Sequence, residues 1–372
     1  MTETILVTGG AGFIGSFLVD KLVEEGHDVR ILDNLEPQVH EGGIPDYLNE
    51  KAEFIRGDVC NYDELKKAIE DVGIISHQAA MVGVGQSQYQ PKRYVDVNTG
   101  GTANLLDILV NSEHDVKKLI VASSMSIYGE GAYECEVCGV VNPEVRDSEQ
   151  MSKGDWEVYC PSCGKPLKPV PTTEEKELQS NSIYAITKKD QEEMSLNIGK
   201  SYGIPTVALR YFNVFGPRQS LSNPYTGVVA IFLSRIKNGN PPLVFEDGLQ
   251  SRDFISVHDI VDANLLAMES SAADYEYFNV GGGRQITILD IARILARLQD
   301  SDVKPEIVGE FRKGDVRHCF SDISKIRGKL GFEPKVEFDQ GLKELIEWSG
   351  GVEAEDMVEK ATEELRAKGL LK

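Results

Sequence analysis

Thr8-Gly9-Gly10-Ala11-Gly12-Phe13-Ile14-Gly15-Ser16 joins a short apolar run, Ile5-Leu6-Val7, to a helical pattern over Phe17 to Glu25. Glycines at 9, 12 and 15 allow a tight turn, close approach of backbone to a pyrophosphate, and close packing of a helix on a strand. The N-terminus of the following helix offers unpaired N–H groups to an anion, with Phe13 and Ile14 at the turn. Glycine-rich turns are common, but the strand before and the helix after are the context such a loop requires. A second apolar run, Asp28 to Leu32, ends in Asp33 and Asn34. A carboxylate there accepts both hydroxyls of a ribose and repels a 2′-phosphate, which favours NAD over NADP. Asp58, in Gly57-Asp58-Val59, is either a partner for an adenine amino group or a cap for the next helix.

Further runs at Glu53–Ile55, Gly73–Ile75, Lys118–Val121 and Thr206–Leu209 alternate with helical patterns such as Tyr62–Glu70 and Ser182–Tyr202. This spacing predicts βαβ units and an α/β fold with a doubly wound parallel sheet covered on both faces. Gly216–Pro242 reads as a cap with one internal helix; Ile288–Leu298, Gln340–Trp348 and the charged tail Val352–Lys368 read as further helices. Residues 130–180 break the rhythm with four paired cysteines, several prolines and many acids, and are expected to be an insertion without sustained apolar period.

The 372 residues include 60 Asp and Glu against 39 Lys and Arg, a net charge of −21. Such a surface repels phosphate backbones and anionic lipid, so neither nucleic acid nor membrane is an expected partner. The N-terminal residues carry no basic and long apolar leader, no run reaches the ~18 residues of a membrane span, and six cysteines are too few for a disulfide scaffold. A cytoplasmic setting is expected.

Ala122-Ser123-Ser124-Met125-Ser126-Ile127-Tyr128-Gly129 follows the fifth run, and Tyr184-Ala-Ile-Thr-Lys188 falls on an expected helix. Residues i and i+4 share a helical face, so the ammonium is expected to lower the phenol's pKa and make Tyr184 a base for a sugar hydroxyl. A serine hydroxyl at the strand end would hold that oxygen. Alone, a Tyr and Lys at this spacing arise by chance in many helices; after a dinucleotide loop they read as one constellation.

With these segments, and with His77-Gln78-Ala79-Ala80, Asn98-Thr99-Gly100-Gly101-Thr102 and Arg210-Tyr211-Phe212-Asn213-Val214-Phe215-Gly216-Pro217, the chain resembles the extended short-chain dehydrogenase/reductase family, and within it the nucleotide-sugar epimerases and dehydratases. The resemblance implies a Rossmann-type domain over 1–212 with a return at 254–283, a substrate cap over 213–253 and 284–350, and a helical tail over 351–372. It places the catalytic Ser at Ser124 (Ser126 being the nearest rival) with Tyr184 and Lys188. It implies cofactor contacts from Gly9, Gly12, Phe13, Ile14, Gly15, Asp33, Asn34, Asp58, Val59, Gln78, Ala79, Ala80, Asn98 and Phe212, alongside Tyr184 and Lys188. Ser126, Asn213, Arg252, Arg312, Asp315 and Cys319 would meet a nucleotide-diphosphate sugar, the arginines at the diphosphate and Asp315 at the ribose. Dehydratases of the family carry an Asp-Glu pair where Met125 and Ser126 stand; decarboxylases and 3,5-epimerases place Glu or Cys at the latter. That leaves oxidation and re-reduction at one hydroxyl carbon, a 4-epimerase with tightly bound NAD. A keto-sugar reductase and a non-catalytic NAD-binding regulator are the alternatives. Cys319, where a bulky Tyr would exclude N-acetyl groups, permits a roomier sugar, or is an ordinary buried cysteine. A homodimer through helices near Asn98–Val110 and Ser182–Tyr202 is also implied.

Cys135-Glu-Val-Cys138-Gly and Cys160-Pro-Ser-Cys163-Gly form two knuckles whose four thiolates suit a closed tetrahedral zinc site, with iron as the rival metal. Cys60, His77 and His258 are expected to be structural, His77 in packing or backbone bonding and His258 as a helix cap.

Overall fold

Runs of consecutive apolar residues build the centre of the protein, because strands buried on both faces need no polar side. In the computed structural model, which describes residues 3–40 and 43–372, these are β1 (Thr4–Thr8), β2 (Asp28–Asp33), β3 (Glu53–Arg56), β4 (Val72–His77), β5 (Lys118–Ser124), β6 (Thr206–Tyr211) and β7 (Tyr277–Val280). Met1 and Thr2 of the N-terminal stretch lie outside the described residues. All seven pair in parallel, in the order β7-β6-β5-β4-β1-β2-β3. The chain reverses direction of travel between β1 and β4, so the crevice beyond the ends of those strands is where a ligand is received in such a sheet.

Side chains alternate across the sheet. Ile5, Val7, Ile31 and Ile120 pack on one face with Leu18, Val19 and Leu22 of α1 (Phe13–Glu24) and Ile260 and Ala263 of the helix at Val257–Glu269. Leu6, Leu32, Leu119 and Val121 face the other way, onto Leu65 and Ala68 of α2 (Tyr62–Ile69) and Leu105, Ile108 and Leu109 of α3 (Gly101–Asn111). A separate apolar cluster joins Phe215, Phe232, Leu233, Phe254, Ile291, Leu295, Phe338 and Leu342.

The helices obey their end signals, with some corrections. α4 (Ile183–Tyr202) begins where the Ser182 hydroxyl accepts from the Ala185 amide and ends at Gly203, which takes φ +72°. α1 begins at Phe13 rather than Phe17, since the glycine loop turns straight into it. The cap of α2 is Asn61, not Asp58: its side chain accepts from the amides of Asp63 and Glu64. The helix at Val257 is capped by Ser256, while His258 lies edge-on to Phe17 and bonds Glu344. The tail is helical only over Val358–Ala367, and the cap helix is Val228–Lys237. Within 130–180 the chain forms a small antiparallel sheet of Gly139–Val141, Ala132–Cys135 and Lys168–Val170.

Candidate active site

The glycine loop is tight for a definable reason. A Cβ on Gly15 would stand 2.2 Å from the Gly9 carbonyl oxygen, and one on Gly9, at φ +69°, would stand 2.9 Å from the Ala79 backbone. Gly12 occupies the N-cap of α1 with no side-chain cap, and the first turn has no acidic residue. That helix end, carrying Phe13 and Ile14, is therefore left to an outside anion. Asp33 lies beneath the loop, its carboxylate accepting from the amides of Ala11 (3.0 Å) and Leu35 (2.8 Å). Asn34 donates to Asp58 at 3.0 Å; burial alone would raise the Asp58 pKa, but bonds from the Cys60 amide and Asn34 bring it below the usual carboxylate range. A bare helix N-terminus, a loop closed to a Cβ at Gly9 and Gly15, and an adjacent acid pair fit a dinucleotide such as NAD.

Other expected cofactor residues take different positions. Val59 is buried against Gly101, and Gln78 donates to Ser76, Tyr211 and Asn264 beside Ala79 and Ala80. Asn98 is fully buried: its oxygen accepts from the Met81 amide and its nitrogen donates to the Met81 carbonyl and to Thr187. Its carboxamide so engaged, Asn98 orders the loop after Ala80. Phe212 likewise packs in a buried cluster with Met125, Tyr128 and Cys319.

Strand β5 ends at Ser124, whose hydroxyl accepts from the Ser126 amide (3.2 Å) and hydroxyl (3.0 Å) and lies near enough to Tyr184 to lower its pKa. Ser126 is thus a partner of Ser124. The Tyr184 amide donates to Ser87 at 3.0 Å, fixing the start of α4. Lys188 is buried and donates to Gln191 at 2.9 Å; Gln191 donates to Thr102, and the His77 ring lies between Thr8 (2.8 Å) and Thr102 (3.0 Å). His77 therefore bonds hydroxyls, not backbone, and burial, with Lys188 adding to it, pushes its pKa down to about 3, so it is neutral. Burial pushes Lys188 down to about 7. Tyr184 is raised by burial, with the Ser124 bond opposing. The expectation that Lys188 lowers the phenol's pKa is corrected for the protein without NAD: removal from water raises it, and the opposing influence comes from Ser124. Gln191 escaped the sequence reading, although it stands three residues after Lys188 on the same helical face.

On the far side, the Asn213 carboxamide oxygen is buried with no partner among the described residues. Arg252 donates to Asp315 (3.2 Å) and the Val316 carbonyl (2.7 Å). Arg312 lies over the Phe245 ring at 4.4 Å and has a buried, unpartnered Nε. Cys319 is 1% exposed and pairs in register with Arg252. The structure therefore gathers Arg252, Asp315 and Cys319 at one place.

The four cysteines also converge. The sulfurs of Cys135, Cys138, Cys160 and Cys163 all lie within 4.8 Å of one another, and Gly139 (φ +75°) and Gly164 (φ +71°) turn the chain after each pair. Four soft donors at that spacing, two buried and two exposed, suit a tetrahedral metal ion. No helix among the described residues is long and apolar enough to cross a membrane.

The family model described as "NAD dependent epimerase/dehydratase family" matches residues 5–145 and 157–281, more than half of the chain. The dTDP-L-rhamnose 4-epimerase of Burkholderia thailandensis is 36% identical over 355 residues, spanning 93% of this chain and 94% of that protein. The structure of UDP-glucose 4-epimerase from Thermotoga maritima with UDP-glucose superposes with a TM-score of 0.74 at 35% identity, covering 93% of this chain and 98% of that one. UDP-glucuronic acid 4-epimerase from Bacillus cereus, in complex with UDP-glucuronic acid and NAD, gives 0.74 at 28% identity with 93% and 98% covered.

Proposed function

The chain belongs to the NAD dependent epimerase/dehydratase family, and we propose that it is a nucleotide-sugar 4-epimerase. The observation that carries the reading is the place of Tyr184 on α4, near enough to Ser124 at the end of β5 for that hydroxyl to lower its pKa, and one helical turn before buried Lys188. Met125 and Ser126, beside it, offer no carboxylate or thiol for elimination or for carbon acid–base chemistry. The similarity to 4-epimerases acting on three different sugars supports the reaction without choosing the sugar.

The chemistry that NAD supplies when bound, on Gly9 to Gly15 and Asp33, is reversible hydride exchange at the sugar carbon. Tyr184 takes the C4 hydroxyl proton and later returns it, while Ser124 holds the same oxygen through both events. Because Tyr184 starts with a raised pKa, withdrawing its proton needs positive charge brought close, which the nicotinamide of bound NAD and Lys188, one helical turn away, would supply. The 4-keto sugar turns over about its diphosphate, which Arg312 and Arg252 anchor, with Asn213 at the sugar or diphosphate and Asp315 at the ribose of the nucleotide. We assign 1–212 with 254–283 to the cofactor and 213–253 with 284–350 to the sugar nucleotide.

Zinc is the proposed occupant of the four-cysteine cluster, in a structural role, since all four donors leave no open position. A cytoplasmic homodimer is also proposed: an exposed groove between α3 and α4, lined by Leu106, Val110, Met194 and Ile198, supports pairing there.

Proton NMR of the purified protein with UDP-hexoses, UDP-N-acetylhexosamines and dTDP-L-rhamnose, without added NAD, tests the reading. A C4 epimer is the expected product. Net reduction or oxidation that consumes added cofactor, with no epimer formed, would overturn it.

A further inference from the structure

Arg146 lies between the two cysteine pairs in sequence, yet its side chain is engaged by the body of the protein. Its guanidinium is 2% exposed and forms a two-pronged pair with Glu246, both bonds 2.9 Å. The same group donates to the carbonyls of Trp156 (3.1 Å) and Asp315 (3.3 Å). Glu246, equally buried, also accepts from Arg317 at 2.9 Å, and Arg317 grips Asp247 at 2.6 and 2.8 Å. From there the bonding passes to the expected substrate side: the Arg317 carbonyl accepts from Arg252 at 3.2 Å, and Arg252 donates to Asp315.

The root of the insertion is joined to the same segment. The Glu130 carboxylate accepts from the amides of Arg317 and His318, the Gly131 amide donates to the His318 carbonyl (2.9 Å), and Thr172 donates to Phe320 (2.8 Å). A Cβ on Gly131 would come 2.5 Å from the His318 oxygen, so the two backbones are in direct contact. Trp156 lies edge-on to Phe311, next to Arg312.

Residues 310–320 contain little regular structure besides the two-residue strand His318–Cys319. A segment of that kind is held by what it touches, not by its own ladder of bonds. A buried Arg–Glu–Arg cluster contributes little net stability, because desolvation offsets the attraction; its effect is to fix geometry. The ion cluster reaches Asp315 and Arg252 on one side and the cysteine module on the other.

We propose that Arg146 is a positioning residue for the sugar nucleotide: by holding the Asp315 carbonyl and Glu246 it sets the segment carrying Arg312, Asp315 and Cys319, so the four-cysteine module governs nucleotide affinity. This rests on the reading of those residues as sugar-nucleotide contacts. The module is then part of substrate recognition without supplying a group that touches substrate.

Calorimetric binding of UDP and of dTDP to the whole protein tests it, using wild type, Arg146→Met and Arg146→Lys. Arg146→Met is expected to raise the dissociation constant about tenfold, the equivalent of one charge-assisted hydrogen bond. KM for the sugar nucleotide should rise in step, with kcat within about twofold and NAD content unchanged. Arg146→Lys keeps the charge but not the planar fork that pairs twice with Glu246, so it should fold and fall between the two; it decides the matter if the Met variant does not fold. Should wild type bind a diphosphate and the folded variants bind it equally well, Arg146 is merely structural and this inference falls alone. Should wild type bind neither UDP nor dTDP, the sugar-nucleotide reading fails first and takes the inference with it.

Discussion

Replacing Gly15 with Ala perturbs the protein at the contact its loop is built around. The new methyl would lie 2.2 Å from the Gly9 oxygen and 2.8 Å from Gly10 Cα. The first of these is more than 1 Å inside an ordinary contact of roughly 3.5 Å and the second about 0.7 Å inside it, a steeply repulsive range. Both blocked atoms are backbone, and Gly9 has no room to retreat, since its own Cβ position faces Ala79 at 2.9 Å. Helix α1 must therefore lift from the loop, at a cost of about 1–3 kcal/mol for overpacking. Gly12 provides the comparison: it sits at φ −75°, and its Cβ would meet the Gly9 oxygen at 3.3 Å, which the fold can absorb. Gly15→Ala should lower the melting temperature of NAD-free protein by a few degrees and also purify without NAD. Gly12→Ala should melt like NAD-free wild type yet also lose NAD, because only the ligand's approach is blocked. Thermal melts, together with chromatography of nucleotide released on denaturation, read both quantities. Wild-type melting and full NAD content in Gly15→Ala would refute the reasoning.

Tyr184→Phe keeps the buried ring but removes the proton carrier, so turnover should drop roughly 10²–10⁴-fold while NAD remains bound, measured as kcat beside cofactor content. The Lys188 ammonium, lowered by burial to about 7, loses its proton as pH rises through that value, so kcat should fall on the alkaline side in a pH profile; a profile flat through that range would count against Lys188 acting as a cation. Cys135→Ser or Cys160→Ser should lose the metal found by elemental analysis of wild type, together with protease resistance over 130–180; undiminished metal would remove the zinc assignment. Cys319→Tyr, placing a ring beside Arg252 in a site 1% exposed, should reduce turnover of N-acetylated sugars far more than that of plain hexoses, in competition assays with both.

What could be read in the sequence was local. Ile5-Leu6-Val7 and Lys118–Val121 announce buried parallel strands because both faces are apolar, and Ser182 and Gly203 bracket α4 by their own conformational preferences. The glycine loop and the Tyr184–Lys188 pair depend on spacings of a few residues, and they occupy neighbouring positions in the fold. What stayed hidden depends on partners far along the chain. Arg146 and Glu246 are 100 residues apart, and nothing near either one anticipates the other. Tyr89 and Tyr225 share Glu364 from the tail in the same way. Asn98 matched a motif, but the bonds of its carboxamide to Met81 and Thr187 could not be read from that motif. The pKa of Tyr184 was hidden likewise: the sequence supplied the nearby cation but not the removal of water that raises the phenol.

Charge distribution then explains how so acidic a chain can receive a diphosphate. Its guanidiniums on the nucleotide side are mostly neutralised: Arg146 and Arg317 by Glu246 and Asp247, and Arg252 by Asp315. Arg312 is different, for among the described residues it has no carboxylate partner, and its Nε is buried without an acceptor. It is supported instead from behind, by the face of Phe245 and by a backbone bridge to Leu371 of the tail. An aromatic face stabilises the cation without consuming its donors, leaving them for phosphate oxygens. Phe245 in turn packs with Leu365 and Leu371, so the tail supports this one uncompensated charge. A net charge of −21 repels free phosphates in general, so the proposed hold on a sugar diphosphate would rest on the placement of a few cations, Arg312 foremost among them.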